Sequence, residues 1–527
     1  MEMDRDPPSN IPSSRGWLAC WLLFFTLVLG LQYWHLAYRS DLAGDPDEAA
    51  HAVTSVMVRD YMTQALGTHP LHYAEAYRDR LPKVALGHYP PAYYILAGVW
   101  LLPHVSIASL LVLQAVLVAT LAVLLGWCAG RILPSCLAFA SGVLVCVCSP
   151  IQKIAVLVMS DVLLAIACLI ALIAFASFLD RPRAKAALWF GLAAAFAILT
   201  KGSGWMLAVV PPLAIALTGQ WRLLIKPSLW VAPVPVILLA LPWQLFSYKL
   251  TAGGMSELPL WQYFLMAAPF YLETAVQSFG VVLVVLLVVG GLMRLSARLK
   301  GGKSGSMEAC LWALTVGGLA IVLFVPAGTS SRYFIPMLAP ILIVPLLAAR
   351  QIALRWLPAR WAGVLALLVV TFSLAEALSH KRITKVAYGF HETVQVMAQA
   401  PGTTLLCADS RGEGALVAEV AFDAGLRAGP PVSMIRATKE LASQDWNGRG
   451  YVLTFHDDAA LREHLKKRGV RWVLLDDSVT GVLRQPHFDQ LKHALLAPDS
   501  GWRLRQTLHV ASGETDQGSM LVFTPAS

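Results

Sequence analysis

Apolar runs of roughly 15 to 22 residues recur along this chain up to residue 378 and then stop. About 20 helical residues cross the hydrocarbon of a bilayer, so each run predicts a membrane span. Eleven candidates follow: residues 17–38, 106–129, 133–150, 162–179, 186–200, 204–219, 228–247, 277–296, 308–326, 333–349 and 360–378. The first is too long for a signal-peptide core and has no small-x-small cleavage site before the next polar loop, so it reads as a retained span. The segment from Pro90 to Pro103 is apolar but short and opens with Pro-Pro. It is expected to lie along the outer interface. The stretch 248–276, with Trp261, Tyr263, Phe264, Phe270 and Tyr271, reads as a second interfacial helix.

Beyond residue 380 the pattern changes. Strand-like runs at 403–408, 451–455, 472–476, 503–510 and 519–524 interleave with helical periodicity at 413–424, 437–445, 458–468 and 487–496. Such alternation implies a three-layer α/β unit with a partly parallel sheet. The predicted architecture is therefore a polytopic α-helical membrane domain over residues 1–379, with about 11 transmembrane helices, followed by a soluble α/β domain over 380–527.

Composition agrees that lipid solvates most of the chain: of 527 residues, 57% are hydrophobic and 14% charged, where soluble domains carry roughly a quarter charged residues. The net charge of +9 says less than the position of each basic residue. If the N-terminus is cytoplasmic, five basic turns fall inside: Arg131; Arg181, Arg183 and Lys185; Arg222 and Lys226; Arg294 to Lys303; and Arg350, Arg355 and Arg360. Short cytoplasmic loops collect Lys and Arg in this way, and the opposite orientation fails at each turn. Nucleic acid is accordingly not expected as a partner. The long loop 39–105, the turn from Lys153 to Asp161, Lys201, the Ser330-Ser331-Arg332 turn and the tail then share the extracytoplasmic face. Seven of the eight cysteines lie in or beside apolar runs and Cys407 stands alone in the tail, so neither a disulfide framework nor a CxxC metal site is indicated.

Several polar motifs stand out on that outer face. Asp45-Pro46-Asp47-Glu48-Ala49-Ala50-His51 follows the first span. A helix opening near Pro46 would place Asp47 and His51 four residues apart on one face. Acidic residues also favour a first helical turn, so a solvated cap explains the motif equally well in isolation. His88-Tyr89-Pro90-Pro91-Ala92-Tyr93-Tyr94 fits a rigid turn with an interfacial aromatic belt. Asp161 at the mouth of the fourth span is a carboxylate at the membrane edge, which is expensive unpaired. Lys201 and Arg332 repeat the situation as cations, for which snorkelling is the plain alternative. In the tail, Asp409-Ser410-Arg411-Gly412-Glu413-Gly414 lacks the full GxGxxG spacing and reads as a structural turn opening a helix, while Asp457-Asp458 and Asp476-Asp477 read as caps and strand-end solvation.

Taken in order, these motifs resemble the GT-C superfamily of integral-membrane glycosyltransferases, in particular its branch of protein O-mannosyltransferases, lipid A aminoarabinose transferases and Rgt-like enzymes. The resemblance covers roughly residues 15–350. It rests on the early Asp47-Glu48 pair, the Pro90-Pro91-Ala92-Tyr93-Tyr94 stretch, Asp161, Thr200-Lys201-Gly202 and Arg332-Tyr333. One position departs: relatives carry Lys before the Pro-Pro, where this chain has Tyr89. A phosphate contact from that Lys does not carry over, and His88, Lys83 or Arg80 are the candidates to replace it.

The resemblance implies transfer of a sugar from a polyprenyl-phosphate donor, with inversion, to a glycan, lipid or protein acceptor outside the plasma membrane. It makes Asp47 the base, with Glu48 or His51 orienting it or binding acceptor hydroxyls. Asp161 becomes an acceptor or metal ligand, and Lys201 and Arg332, joined by His88 and Tyr89, the donor-phosphate site. A charge pair near 4 Å at an effective dielectric of about 20 contributes roughly 4 kcal/mol before desolvation, enough to affect leaving-group departure. No cofactor is implied beyond the lipid donor, and a divalent metal on Asp47 and Asp161 stays open. A transporter or flippase is the competing class, although such proteins usually show internal repeats with broken helices, and none is evident here.

Overall fold

The computed structural model describes residues 14–356, 358–379, 385–428, 432–445, 448–512 and 515–526. It is mostly helical, with a sheet in its C-terminal part. The apolar runs form α1 (Ser14–Trp34), α5 (Ile107–Ala129), the pair α6 (Ser135–Val147) and α7 (Ser149–Ala155), α8 (Asp161–Asp180) and α9 (Ala184–Thr200). After these come α10 (Val210–Thr218), a turn α11 (Pro233–Pro235), α12 (Leu241–Gly253), α13 (Leu260–Leu299), α14 (Ser306–Phe324), α15 (Leu338–Trp356) and α16 (Ala359–Ser379). Among the described residues, seven helical segments are long and apolar enough to cross a membrane, or eight if α6 and α7, bent by 54°, form one broken span. Residues 184–200 and 202–218 are shorter apolar helices.

Three helices build the first loop: α2 (Glu48–Gln64), α3 (Pro70–Arg80) and α4 (Ala92–Trp100). At nine residues α4 is far too short to span, in keeping with the interfacial expectation for 90–103. The stretch 248–276 differs from expectation. Its first residues end α12, residues 254–259 connect the two helices, and the rest belongs to α13, which runs on through the span at 277–296. The two parts of α13 join at Gly280, whose φ of 80° and ψ of 156° break the helical path.

The C-terminal part contains α17 (Phe390–Ala398), α18 (Ser410–Phe422), α19 (Ala424–Ala428), α20 (Ala437–Glu440), α21 (Asp458–Lys467) and α22 (Pro486–Leu496). Its strands are β1 (Ala387–Tyr388), β2 (Thr403–Cys407), β3 (Ser433–Arg436), β4 (Ala442–Ser443), β5 (Val452–Leu453), β6 (Val470–Asp476), β7 (Trp502–Ser512) and β8 (Thr515–Pro525). Six form one sheet in the order β1-β7-β8-β6-β2-β3, and β4 pairs with β5. β2 runs parallel to β3 and β6, and the remaining pairings are antiparallel.

Strand alternation sends Leu405, Cys407, Val473 and Leu475 to one face, under α21 and α22. Leu406, Trp472 and Leu474 face the other way, under α17 and α18. On that second side the apolar packing continues without a break into the core of the helical part. The sheet layer is thereby anchored to α2, against which α18 lies.

Gly280 tests the kink. Its backbone conformation is essentially restricted to glycine, so Gly280→Ala is expected to cost about 1–3 kcal/mol and lower the thermal midpoint in detergent. Gly363→Ala, at a position with open space for a methyl group, is expected to leave the midpoint unchanged or raise it.

Candidate active site

α8 and α9 form an antiparallel hairpin, so the residue that opens α8, Asp161, meets the residue that follows α9, Lys201. The 3-10 turn Ser331–Met337, which leads into α15, brings Arg332 to the same end of the bundle. Asp47, immediately before α2, completes the group. Four separated segments thus deliver two acids and two cations to one place.

Each acid takes a cation. Lys201 Nζ lies 2.6 Å from Asp161 Oδ1, with Asp161 1% and Lys201 8% exposed. Arg332 Nη2 donates to Asp47 Oδ2 at 2.8 Å, and Nη1 approaches Asp45 Oδ1 at 3.6 Å. Tyr89 donates its phenol to the same Asp47 oxygen at 2.8 Å. Both cations also lie over the ring of Tyr333, at 5.1 and 5.8 Å from its centroid. Asp161 Oδ2, Ser160 Oγ and Arg332 Nε are buried with no hydrogen-bond partner among the described residues. Buried polar atoms are normally satisfied, so these three leave hydrogen-bonding capacity at the centre of the cluster.

The electrostatics follow from the partners. Burial pushes the Asp47 carboxyl upward, but the charge and hydrogen bond of Arg332, with His51 and the Tyr89 phenol, outweigh it and hold Asp47 at about 2. Burial drives His51 down to about 4 against the pull of Asp47, leaving a neutral imidazole at ordinary pH. Its Nδ1 sits 2.9 Å from the Tyr94 hydroxyl.

Asp47 makes no capping hydrogen bond with its side chain, so the solvated-cap reading does not describe it. His51 lies one turn along, its backbone N–H donating to the Asp47 carbonyl at 2.9 Å. Glu48 is turned elsewhere: it is fully buried and its Oε1 lies 2.6 Å from Lys385 Nζ. His88 stays exposed beside Tyr89. Lys83, a candidate for the missing lysine, donates instead to the Ser410 carbonyl at 2.9 Å in the C-terminal part. Burial lowers its ammonium to about 8. Asp409 caps α18 by accepting from the N–H groups of Arg411 and Gly412, as the turn reading expects. The residue not singled out from the sequence is Lys385, and Tyr333 entered only as part of the Arg332-Tyr333 motif, with no role of its own. Tyr333 was visible beside Arg332, whereas Lys385 lies 337 positions from its partner and gave no local signal.

Among the described residues no three His, Cys, Asp or Glu side chains converge in a way that could hold a metal ion. Asp47 and Asp161, the residues considered for one, each have an oxygen committed to a side-chain cation.

Residues 87–246 match the family model described as dolichyl-phosphate-mannose-protein mannosyltransferase. No curated protein sequence matches the chain. Among solved structures, the fold is similar to an oligosaccharyltransferase from Archaeoglobus fulgidus in its apo form (TM-score 0.57, 11% identity, 97% of this chain and 76% of that one). It is also similar to ArnT from Cupriavidus metallidurans bound to undecaprenyl phosphate (TM-score 0.54, 14% identity, 97% and 98%). A third likeness is the archaeal oligosaccharyltransferase in complex with an inhibitory peptide and a dolichol-phosphate (TM-score 0.51, 12% identity, 87% and 69%).

Removing one member of a buried ion pair strands the other. Lys201→Met is expected to cost roughly 3–5 kcal/mol by leaving Asp161 an unpaired buried charge. The double variant Asp161→Asn/Lys201→Met is expected to recover most of that loss, as read by thermal midpoints in detergent.

Proposed function

We propose, from the premise that this chain has the fold of the GT-C glycosyltransferases, that it transfers a hexosyl or pentosyl group from a polyprenyl-phosphate donor to an extracytoplasmic glycan, lipid or protein acceptor. The observation that carries this reading is the carboxylate of Asp47 paired with Arg332, with Lys201 paired to Asp161 in the same cluster and both cations over the ring of Tyr333. That is the pairing of base and leaving-group stabiliser that displacement at a sugar phosphate requires.

In the proposed reaction the acceptor O–H or N–H loses its proton to Asp47 as its heteroatom bonds to the anomeric carbon. The bond from that carbon to the phosphate oxygen breaks, and its electron pair leaves on the polyprenyl phosphate. One displacement inverts the anomeric configuration. Asp47 acts as the base, and Asp161 stays paired with Lys201.

The donor phosphate docks between Lys201 and Arg332 and accepts from their N–H groups, including the free Nε of Arg332. A guanidinium binds two phosphate oxygens at once. Drawing Arg332 towards the phosphate relaxes its hold on Asp47, so burial regains its upward pull and the carboxylate becomes a stronger base once donor is loaded. Tyr89 and His88 border the phosphate site in place of the lysine found in relatives. His51 and Asp161 contact the acceptor, and Glu48 supports Asp47 from behind. The proposed setting is the plasma membrane of the cell, with eleven spans over residues 1–379, the N-terminus in the cytoplasm and residues 380–527 outside.

With purified protein and radiolabelled polyprenyl-phosphate sugars, Asp47→Asn is expected to lower kcat on the order of 100- to 10,000-fold; unchanged turnover would remove Asp47 as the base. The acid limb of kcat, which reports the loaded enzyme, is expected at higher pH than that of kcat/KM for the donor, which reports the free enzyme. Coincident limbs would mean that the donor does not draw Arg332 away.

A further inference from the structure

The residues after the last helix of the bundle are stitched to the segment before α2. The Lys385 N–H donates to the His35 carbonyl at 3.1 Å and the Asp41 N–H to the Ala387 carbonyl at 2.7 Å. The Ala387 N–H donates to Ser40 Oγ at 3.0 Å, and the Phe390 N–H to Asp41 Oδ2 at 3.0 Å. These bonds carry the Lys385 side chain inward until Nζ meets Glu48 Oε1 at 2.6 Å. Glu48 Oε2 accepts from the Gly44 N–H at 3.0 Å. The packing around the pair is close: a Cβ on Gly44 would fall 3.2 Å from Glu48 Oε2, 3.3 Å from Lys385 Cε and 2.5 Å from Leu157 Cδ2.

A fully buried ion pair is a poor device for stability, because desolvating both charges consumes most of their attraction and apolar side chains of like volume often do as well. What such a pair provides is direction, since its two ends satisfy each other in one geometry only. Glu48 opens α2 and Asp47 directly precedes it. Neighbouring residues at a helix start project roughly 100° apart. Fixing Glu48 against Lys385 therefore fixes the rotation of α2 at its first turn, and with it the side from which Asp47 meets Arg332 and Tyr89. From behind, α18 presses on the same helix: Gly414 leaves room for Ala49, whose Cβ would lie 3.0 Å from a Cβ placed there.

We propose that Lys385 is a positioning residue: from outside the reaction site it sets, through Glu48, the orientation of the carboxylate of Asp47. This assignment rests on the glycosyltransferase reading for its kinetic consequence but not for its structural one. A group misplaced by about 1 Å can slow an enzyme on the order of 100-fold. Lys385→Met is accordingly expected to lower kcat by about 10- to 100-fold while KM for the polyprenyl-phosphate donor, set by Lys201 and Arg332, stays within about twofold.

The double variant Glu48→Gln/Lys385→Met removes both buried charges, so it keeps the fold where a single variant strands one charge. Its kcat is expected to be no lower than that of the worse single variant, because the pair acts as a unit. Amide hydrogen exchange of the full-length protein supplies a readout independent of turnover. Over residues 44–56 it is expected to rise in Lys385→Met and in the double variant, with exchange over 161–180 unchanged. A lower thermal midpoint with wild-type kcat per folded molecule and unchanged exchange over 44–56 would reduce the pair to a structural contact and overturn the proposal. Absence of transfer by the wild type from every donor would overturn the glycosyltransferase reading alone, since the exchange comparison still decides whether Lys385 holds α2.

Discussion

The contact between Arg332 and Asp47 is the constraint on which the rest of this structure turns. Arginine stays ionised in any protein setting, and a guanidinium buried near the membrane face needs a counter-charge. Asp47 supplies it at 2.8 Å, with Asp45 as a second, looser neighbour. The first loop must therefore return to the bundle at one particular point, and the turn before α15 must present its first residues there. Lys201 and Asp161 impose the same condition on the α8–α9 hairpin. Satisfying both pairs at once leaves little choice in how the helices, the loop and the turn are arranged. The charges that cost most to bury thus specify the site.

Much of this was legible in the sequence, because each signal was local. Lipid imposes long apolar runs, and the helices they predict appear as helices. The positive-inside rule needs only the sign of a turn, and it placed Asp47, Asp161, Lys201 and Arg332 on one face before any geometry was considered. The tail's alternating pattern likewise anticipated a mixed sheet between two helical layers, with β2, β6, α18, α21 and α22 close to their expected positions. Run length alone does not distinguish a span from a short apolar helix such as α9, and the described helices support seven or eight by length.

The parts that were not legible depend on contacts between distant segments or on single backbone angles. Nothing near Glu48 announces Lys385, since a lysine in a basic stretch after a last span looks like an interfacial residue. Lys83 looked available for a phosphate and is instead spent on Ser410. Tyr89 was read as a departure from relatives and as a member of the donor-phosphate site; its phenol shares an oxygen of Asp47 with Arg332. The stretch 248–276 looked like an independent interfacial helix because the pattern cannot show that Gly280 joins it to the following span through a kink.

The distance along the chain between Glu48 and Lys385 also sets an order of events in biogenesis. During synthesis at about 5–20 residues per second, the partner of Glu48 emerges roughly 20 to 70 seconds after it. Throughout that interval the carboxylate sits at the start of α2 without its ammonium, and α2 lacks the layer that α18 will place behind it. Every helix of the bundle has been made by then, and the four charged residues of the cluster are all present. The arrangement around Asp47 nonetheless waits for the chain beyond α16 to fold back onto the loop. A nascent or truncated molecule ending near residue 380 would contain every charged residue of the cluster and still lack the part that holds the loop in place.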